Sequence, residues 1–173
     1  MERRLKRYCT LLVVALLANV YTQASQAALV MLQNKNSEKC VQTISASKPP
    51  VGSNIVQGTC AENRIDDTAQ GWVFWHNGKI KSRASNLKLC LSIENGSKKN
   101  GANVVLGKCG GKGSATVFVR KRVDSSHFFL LKSRQTKKCV TVANASTKEG
   151  AKLVQMPCVK SSEQQFKETL GVK

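Results

Sequence analysis

Apolar residues in this chain come in short groups, and the groups return on a regular beat. Ile55-Val56, Val104-Val105 and Leu153-Val154 form one series, each pair set among Gly, Ser, Asn, Gln or Lys. Val41, Leu91 and Val140 form a second, and Val30, Ile80 and Phe129 a third. Short apolar runs between turn-forming residues read as buried strands, and no stretch after residue 27 holds a sustained helical period. The pattern predicts an all-β chain of three repeats with about four strands each, about twelve in all.

Six cysteines fix the period. They fall as Cys40 and Cys60, Cys90 and Cys109, Cys139 and Cys158, separated by 20, 19 and 19 residues, and the first members lie 50 and 49 apart. Gly52, Gly101 and Gly150 each stand eight residues before the second cysteine of their repeat. A glycine recurring at one place marks a turn with positive φ or a close backbone approach. The repeats run over 28–77, 78–126 and 127–173. Each ends on a triplet: Gln70-Gly71-Trp72, Ala115-Thr116-Val117 and Gln164-Gln165-Phe166. Repeat one has four extra residues before its triplet, a longer loop around 63–67.

Residues 1–27 read differently. A basic start (Arg3, Arg4, Lys6, Arg7), an apolar run over 8–20 and Ser25-Gln26-Ala27 have the layout of a secretory signal peptide cut after Ala27. The run is shorter than the roughly 20 residues a membrane span needs; an uncleaved anchor is the alternative. Cleavage removes Cys9 and leaves one domain, 28–173, with an even cysteine count, which in a secreted chain implies a disulfide framework. The expected location is extracellular or periplasmic, with no transmembrane segment left.

Charge alters the picture by its distribution. The chain has 28 Lys and Arg against 10 Asp and Glu. Residues 28–77 are balanced, whereas 78–173 hold 20 basic side chains against 5 acidic ones. Arg120-Lys121-Arg122 is the densest cluster; Lys98-Lys99, Lys137-Lys138 and Lys79, Lys81 and Arg83 add to it. Such asymmetry points to an anionic partner, or else to a solvated surface.

The sequence Gln70-Gly71-Trp72, Gly78-Lys79-Ile80, Leu89-Cys90-Leu91 resembles the Q-x-W, G-x-I and C-L pattern of ricin-B-type lectin repeats, and the resemblance covers essentially all of 28–173. It implies a β-trefoil, a six-stranded barrel capped by three hairpins. Six cysteines allow fifteen connectivities; the periodicity favours Cys40–Cys60, Cys90–Cys109 and Cys139–Cys158.

The resemblance also implies three sugar subsites, and there the chain departs from the family. The family's Asp after C-L is replaced by Gln42, Ser92 and Thr141, and its stacking aromatic by Gly58, Gly107 and Met156. Trp72 and Phe166 are expected in the core. Trp75, beside His76, is the one expected aromatic platform for a sugar ring. Arg120, Lys121, Arg122, Lys98, Lys99, Lys137 and Lys138 are the remaining candidate ligand groups, suited to sulfated or sialylated glycans because ammonium and guanidinium groups bind oxyanions through charge-assisted hydrogen bonds. Asn95-Gly96-Ser97 and Asn144-Ala145-Ser146 are sequons at equivalent places in repeats two and three.

Nothing in the sequence calls for catalysis, a metal or a cofactor. The histidines are His76 and His127, Asp66-Asp67 reads as a turn pair, and no H-E-x-x-H, G-x-S-x-G or P-loop occurs. The expectation is a secreted carbohydrate-binding protein that favours anionic glycans. The alternatives are the binding subunit of a multicomponent toxin, similar to the lectin-like subunits of cytolethal distending toxin with a catalytic partner, and a non-lectin trefoil such as a secreted inhibitor or nucleic-acid binder.

Overall fold

The computed structural model describes residues 28–62, 67–110 and 115–170. The expected signal segment, most of the long loop of repeat one and Asp66 lie outside them.

Twelve short antiparallel strands form among the described residues. Repeat one supplies β1 (Leu29–Asn34), β2 (Cys40–Thr43), β3 (Ile55–Gly58) and β4 (Trp72–Phe74). Repeat two supplies β5 (Ile80–Ser82), β6 (Leu89–Ile93), β7 (Val104–Lys108) and β8 (Phe118–Arg122). Repeat three supplies β9 (Phe129–Ser133), β10 (Cys139–Val142), β11 (Leu153–Met156) and β12 (Gln165–Thr169). The first and last strand of each repeat make a barrel. β1 pairs with β4 and β12, β4 with β5, β9 with β8 and β12. The Lys79–Val117 bridge joins β5 to β8 and closes the ring.

The middle strands form three hairpins, β2–β3, β6–β7 and β10–β11. Bridges Asn54–Val105, Asn103–Val154 and Val56–Lys152 tie them into a triangular cap. Within each repeat a disulfide links the start of the hairpin to the residue beyond its end: Cys40–Cys60, Cys90–Cys109 and Cys139–Cys158.

One core fills the barrel and cap, because alternate strand residues point inward. Trp72 and Phe166 are fully buried, and the Trp72 indole N–H donates to the Val41 carbonyl at 2.9 Å. The register corrects two equivalences drawn from spacing. Trp72 pairs with Ser82, Phe166 with Asn34 and Phe118 with Ser133. The closing triplet of repeat two is therefore Thr116-Val117-Phe118, one residue later than Ala115-Thr116-Val117, because the connection after Cys109 is one residue longer than that after Cys158. Likewise the inward partners of Ile80 are Leu32 and Leu131, since Ile80 pairs with Phe74, Leu32 with Glu168 and Leu131 with Arg120. Val30 and Phe129 correspond instead to Gly78, because repeat two has two extra residues between β5 and β6. Gly78 has φ +82°, and a Cβ there would come within 2.8 Å of the Phe118 carbonyl. Glycine is thus required where β5 meets β8.

Candidate functional site

The glutamine of each closing triplet is a fastener. The Gln70 amide N–H2 donates to the Thr59 carbonyl at 2.7 Å, and its oxygen accepts the Ala61 N–H at 2.9 Å. Gln164 makes the same pair in repeat three, to the Pro157 carbonyl at 2.8 Å and from the Val159 N–H at 2.9 Å. Both side chains are buried and clamp the chain just past the second cysteine of the repeat. That fixes one wall of a hollow between each hairpin and the strand that follows it.

The three hollows have different fates. In repeat one, Gln42 lies across Gly58, so that a Cβ on Gly58 would strike the Gln42 amide. Gln70 holds it there by donating to its oxygen at 2.9 Å. The rim is closed by Glu149 from repeat three, which accepts from the Thr59 hydroxyl at 2.5 Å and the Thr59 N–H at 2.7 Å. Those two donors hold the Glu149 carboxyl below the usual range. Repeat two keeps an open hollow of about 270 Å³, lined by Ser92, Glu94, Asn95 and Gly107 with Gly52 at its edge. Repeat three keeps a larger one, of about 710 Å³, lined by Val142, Asn144, Met156 and Glu163. Gly101, from the β6–β7 loop, also lines it.

That loop carries Lys98 and Lys99, both exposed. Gln155, buried on β11, holds it by donating to the Ser97 carbonyl at 2.6 Å and the Lys99 carbonyl at 2.8 Å. Lys137 and Lys138 lie in the β9–β10 turn, next to the Cys139–Cys158 disulfide, and line neither hollow.

Arg120, Lys121 and Arg122 do not act as one cluster. They follow one another on a strand, so Lys121 faces opposite to its neighbours. Arg120 points to the open end of the barrel, where its equivalents are Phe74 and Glu168. Its guanidinium pairs with Glu168 and stacks 4.6 Å from the Phe74 centroid and 5.9 Å from that of Phe129. Arg122 lines a hollow beside it with Ser125, Ser126, His127 and Glu168. Trp75 is half-exposed, with the Lys81 ammonium 4.2 Å from its ring centroid and the His76 ring 5.8 Å away. Asn95 and Asn144 are exposed in equivalent 3-10 turns, at φ 52° and 54°.

Sequence reasoning named Gln42 only as a missing carboxylate and did not single out Glu149. The signal was the paired change at 42 and 58, a longer side chain where a ring had become glycine. Among the described residues no three His, Cys, Asp or Glu side chains gather as a metal site, and no helix is long and apolar enough to cross a membrane.

Known structures place this geometry. A designed threefold-symmetric protein, ThreeFoil, is 25% identical, with a TM-score of 0.70 over 82% of this chain and 97% of that one. An exo-beta-1,3-galactanase from Clostridium thermocellum is 22% identical, with a TM-score of 0.72 over 84% of this chain; this chain spans only 31% of that enzyme. The ricin B-like lectin of Macrolepiota procera, solved with lactose, is 15% identical, with a TM-score of 0.66 over 85% of this chain and 98% of that one. No curated relative matches by sequence. The model of the ricin-type beta-trefoil lectin domain matches residues 28–166, and the chain belongs to that family.

Proposed function

We propose that this is a secreted carbohydrate-binding protein that engages anionic glycans, sulfated or sialylated, at its second and third repeats. The observation that carries the reading is the open hollow of repeat three, whose lining includes Gly101 from the loop that carries exposed Lys98 and Lys99. An apolar floor accepts the C–H face of a sugar, and the lysines beside it accept a sulfate or carboxylate. Repeat one takes no part, because Gln42 lies across Gly58 in its hollow. Three disulfides support export to an oxidising compartment after loss of residues 1–27.

The test is a glycan array with the oxidised protein at low and physiological salt. Sulfated or sialylated glycans should bind, less tightly as salt rises, and Lys98→Gln/Lys99→Gln should weaken them about fivefold. Salt-insensitive binding of neutral galactosides would instead direct attention to Trp75. Silence across the array would favour the toxin-subunit reading and a search for a protein partner.

A further inference from the structure

The outer wall of the barrel gathers lysines that the sequence scatters over all three repeats. In β8, β9 and β12 the residues next to the inward-facing ones point out: Val119 and Lys121, Leu130 and Lys132, Gln165 and Lys167. The register sets them side by side, with Lys121 opposite Leu130, Leu130 opposite Gln165, and Val119 opposite Lys132. Lys35, just past β1, completes the row: its N–H donates to the Gln165 carbonyl at 2.9 Å and its ammonium to the Gln165 amide oxygen at 3.0 Å. Gln165 in turn donates to the Lys160 carbonyl at 2.6 Å.

Phe128 sits among these cations. The Lys35 ammonium lies 5.1 Å from its ring centroid and that of Lys167 5.7 Å. Leu130 is 1% exposed although it lies outside the barrel core, as expected where lysine stems cover an apolar floor and their charged ends reach water. The acid nearby is Asp124, whose carboxyl is held low by the Ser126 hydroxyl and N–H and, behind these, by the charges of Lys35 and Lys160.

We infer that this wall, formed by Lys35, Lys121, Lys132, Lys160 and Lys167 across β8, β9, β12 and β1, binds a linear sulfated polysaccharide. The surface is separate from the hairpin hollows and does not depend on them. Adjacent strands lie ~4.8 Å apart, so the cations spread over ~14 Å. That is too wide for one oxyanion and suited to a chain carrying several. Charges this close reinforce each other within a Debye length of about 8 Å at physiological salt. Sulfated sugar is favoured over nucleic acid because Phe128 already has its ring engaged by two ammonium groups and offers no stacking platform for bases. It is favoured over a membrane because, among the described residues, Val119 is the one large apolar side chain that β1, β8, β9 and β12 expose.

The experiment measures binding of the oxidised protein to heparin, to unsulfated hyaluronan, to single-stranded DNA and to phosphatidylserine vesicles. Heparin should bind and hyaluronan should not. Lys35→Gln/Lys121→Gln/Lys167→Gln should weaken heparin about tenfold at physiological salt and elute at lower salt. Its unfolding midpoint should stay at the wild-type value. Lys98→Gln/Lys99→Gln, at repeat three, should alter the array profile and weaken heparin less than the triple variant does, and Lys88→Gln, at an exposed lysine outside both surfaces, should leave heparin binding unchanged. Unchanged heparin affinity in the triple variant, an equal loss in the repeat-three variant, or preference for DNA or vesicles over heparin would each overturn the assignment.

Discussion

At the scale of single residues, the glutamines of the closing triplets show how a family signature can be structural. Gln164 satisfies the Val159 N–H and the Pro157 carbonyl, and its amide also donates to the Thr141 hydroxyl at 3.0 Å. Gln164→Leu keeps the bulk and leaves those part-buried groups without their side-chain partner. Unsatisfied buried polar groups cost about 1–3 kcal/mol each in such sites. Urea denaturation of the variant should therefore show a loss of about 2 kcal/mol with the slope unchanged. Thr116 holds the same place in repeat two without an amide, so Thr116→Leu should cost less. The anchors Trp72 and Phe166 were legible in the sequence because large aromatics at a fixed step belong in a core. Phe118 was not, since one extra residue after Cys109 displaced it from the place that counting assigns. A count from the cysteines assumes equal connections, and connections are where repeats differ most freely.

At the scale of elements, the cap is held by side chains that reach from one hairpin to the loop of the next. Gln57 donates to the Ser146 and Lys148 carbonyls at 2.8 and 2.9 Å, as Gln155 does to Ser97 and Lys99. The third equivalent is Leu106, which makes its link through the backbone, with Leu106 N–H to Ser53 carbonyl at 2.9 Å. Glu149 adds a titratable link between repeats three and one. Its carboxyl is held low by the Thr59 hydroxyl and N–H in the folded chain. A depressed folded value means the link is fully present above the ordinary glutamate range and is lost as pH falls through the folded value. Glu149→Gln should accordingly flatten the fall in urea midpoint between about pH 5 and pH 3, measured by denaturation across that range. Sequence spacing predicted the short strands and the turn glycines, and the family resemblance implied the hairpins. It was blind to these ties, because each joins residues some 50 to 90 positions apart that carry no mark of partnership.

At the scale of the whole molecule, threefold architecture and charge follow different rules. The disulfides, cap and barrel repeat; the ligand-facing positions do not. In repeat one Gln42 lies across Gly58, repeat two keeps a small hollow and repeat three a larger one. The charge asymmetry along the sequence suggested that the first repeat is electrically idle. Folding changes that, for Lys35 joins Lys167 around one phenyl ring once β12 closes on β1. No reading of a linear charge run finds such a patch, since barrel closure is what makes the first and last strands neighbours.

The same closure bears on connectivity. Met31 lies opposite Thr169, so the beginning and end of the domain occupy adjoining places in one sheet. A short linker can join them, and a new opening made after exposed Glu62 cuts neither a strand nor a disulfide loop. Such a circular permutant of the domain should fold to the same barrel with the same three bridges, giving a wild-type circular-dichroism spectrum and cooperative unfolding. In a ring of three repeats the point where the chain starts is a choice of label, and the protein's identity resides in which repeat sits beside which.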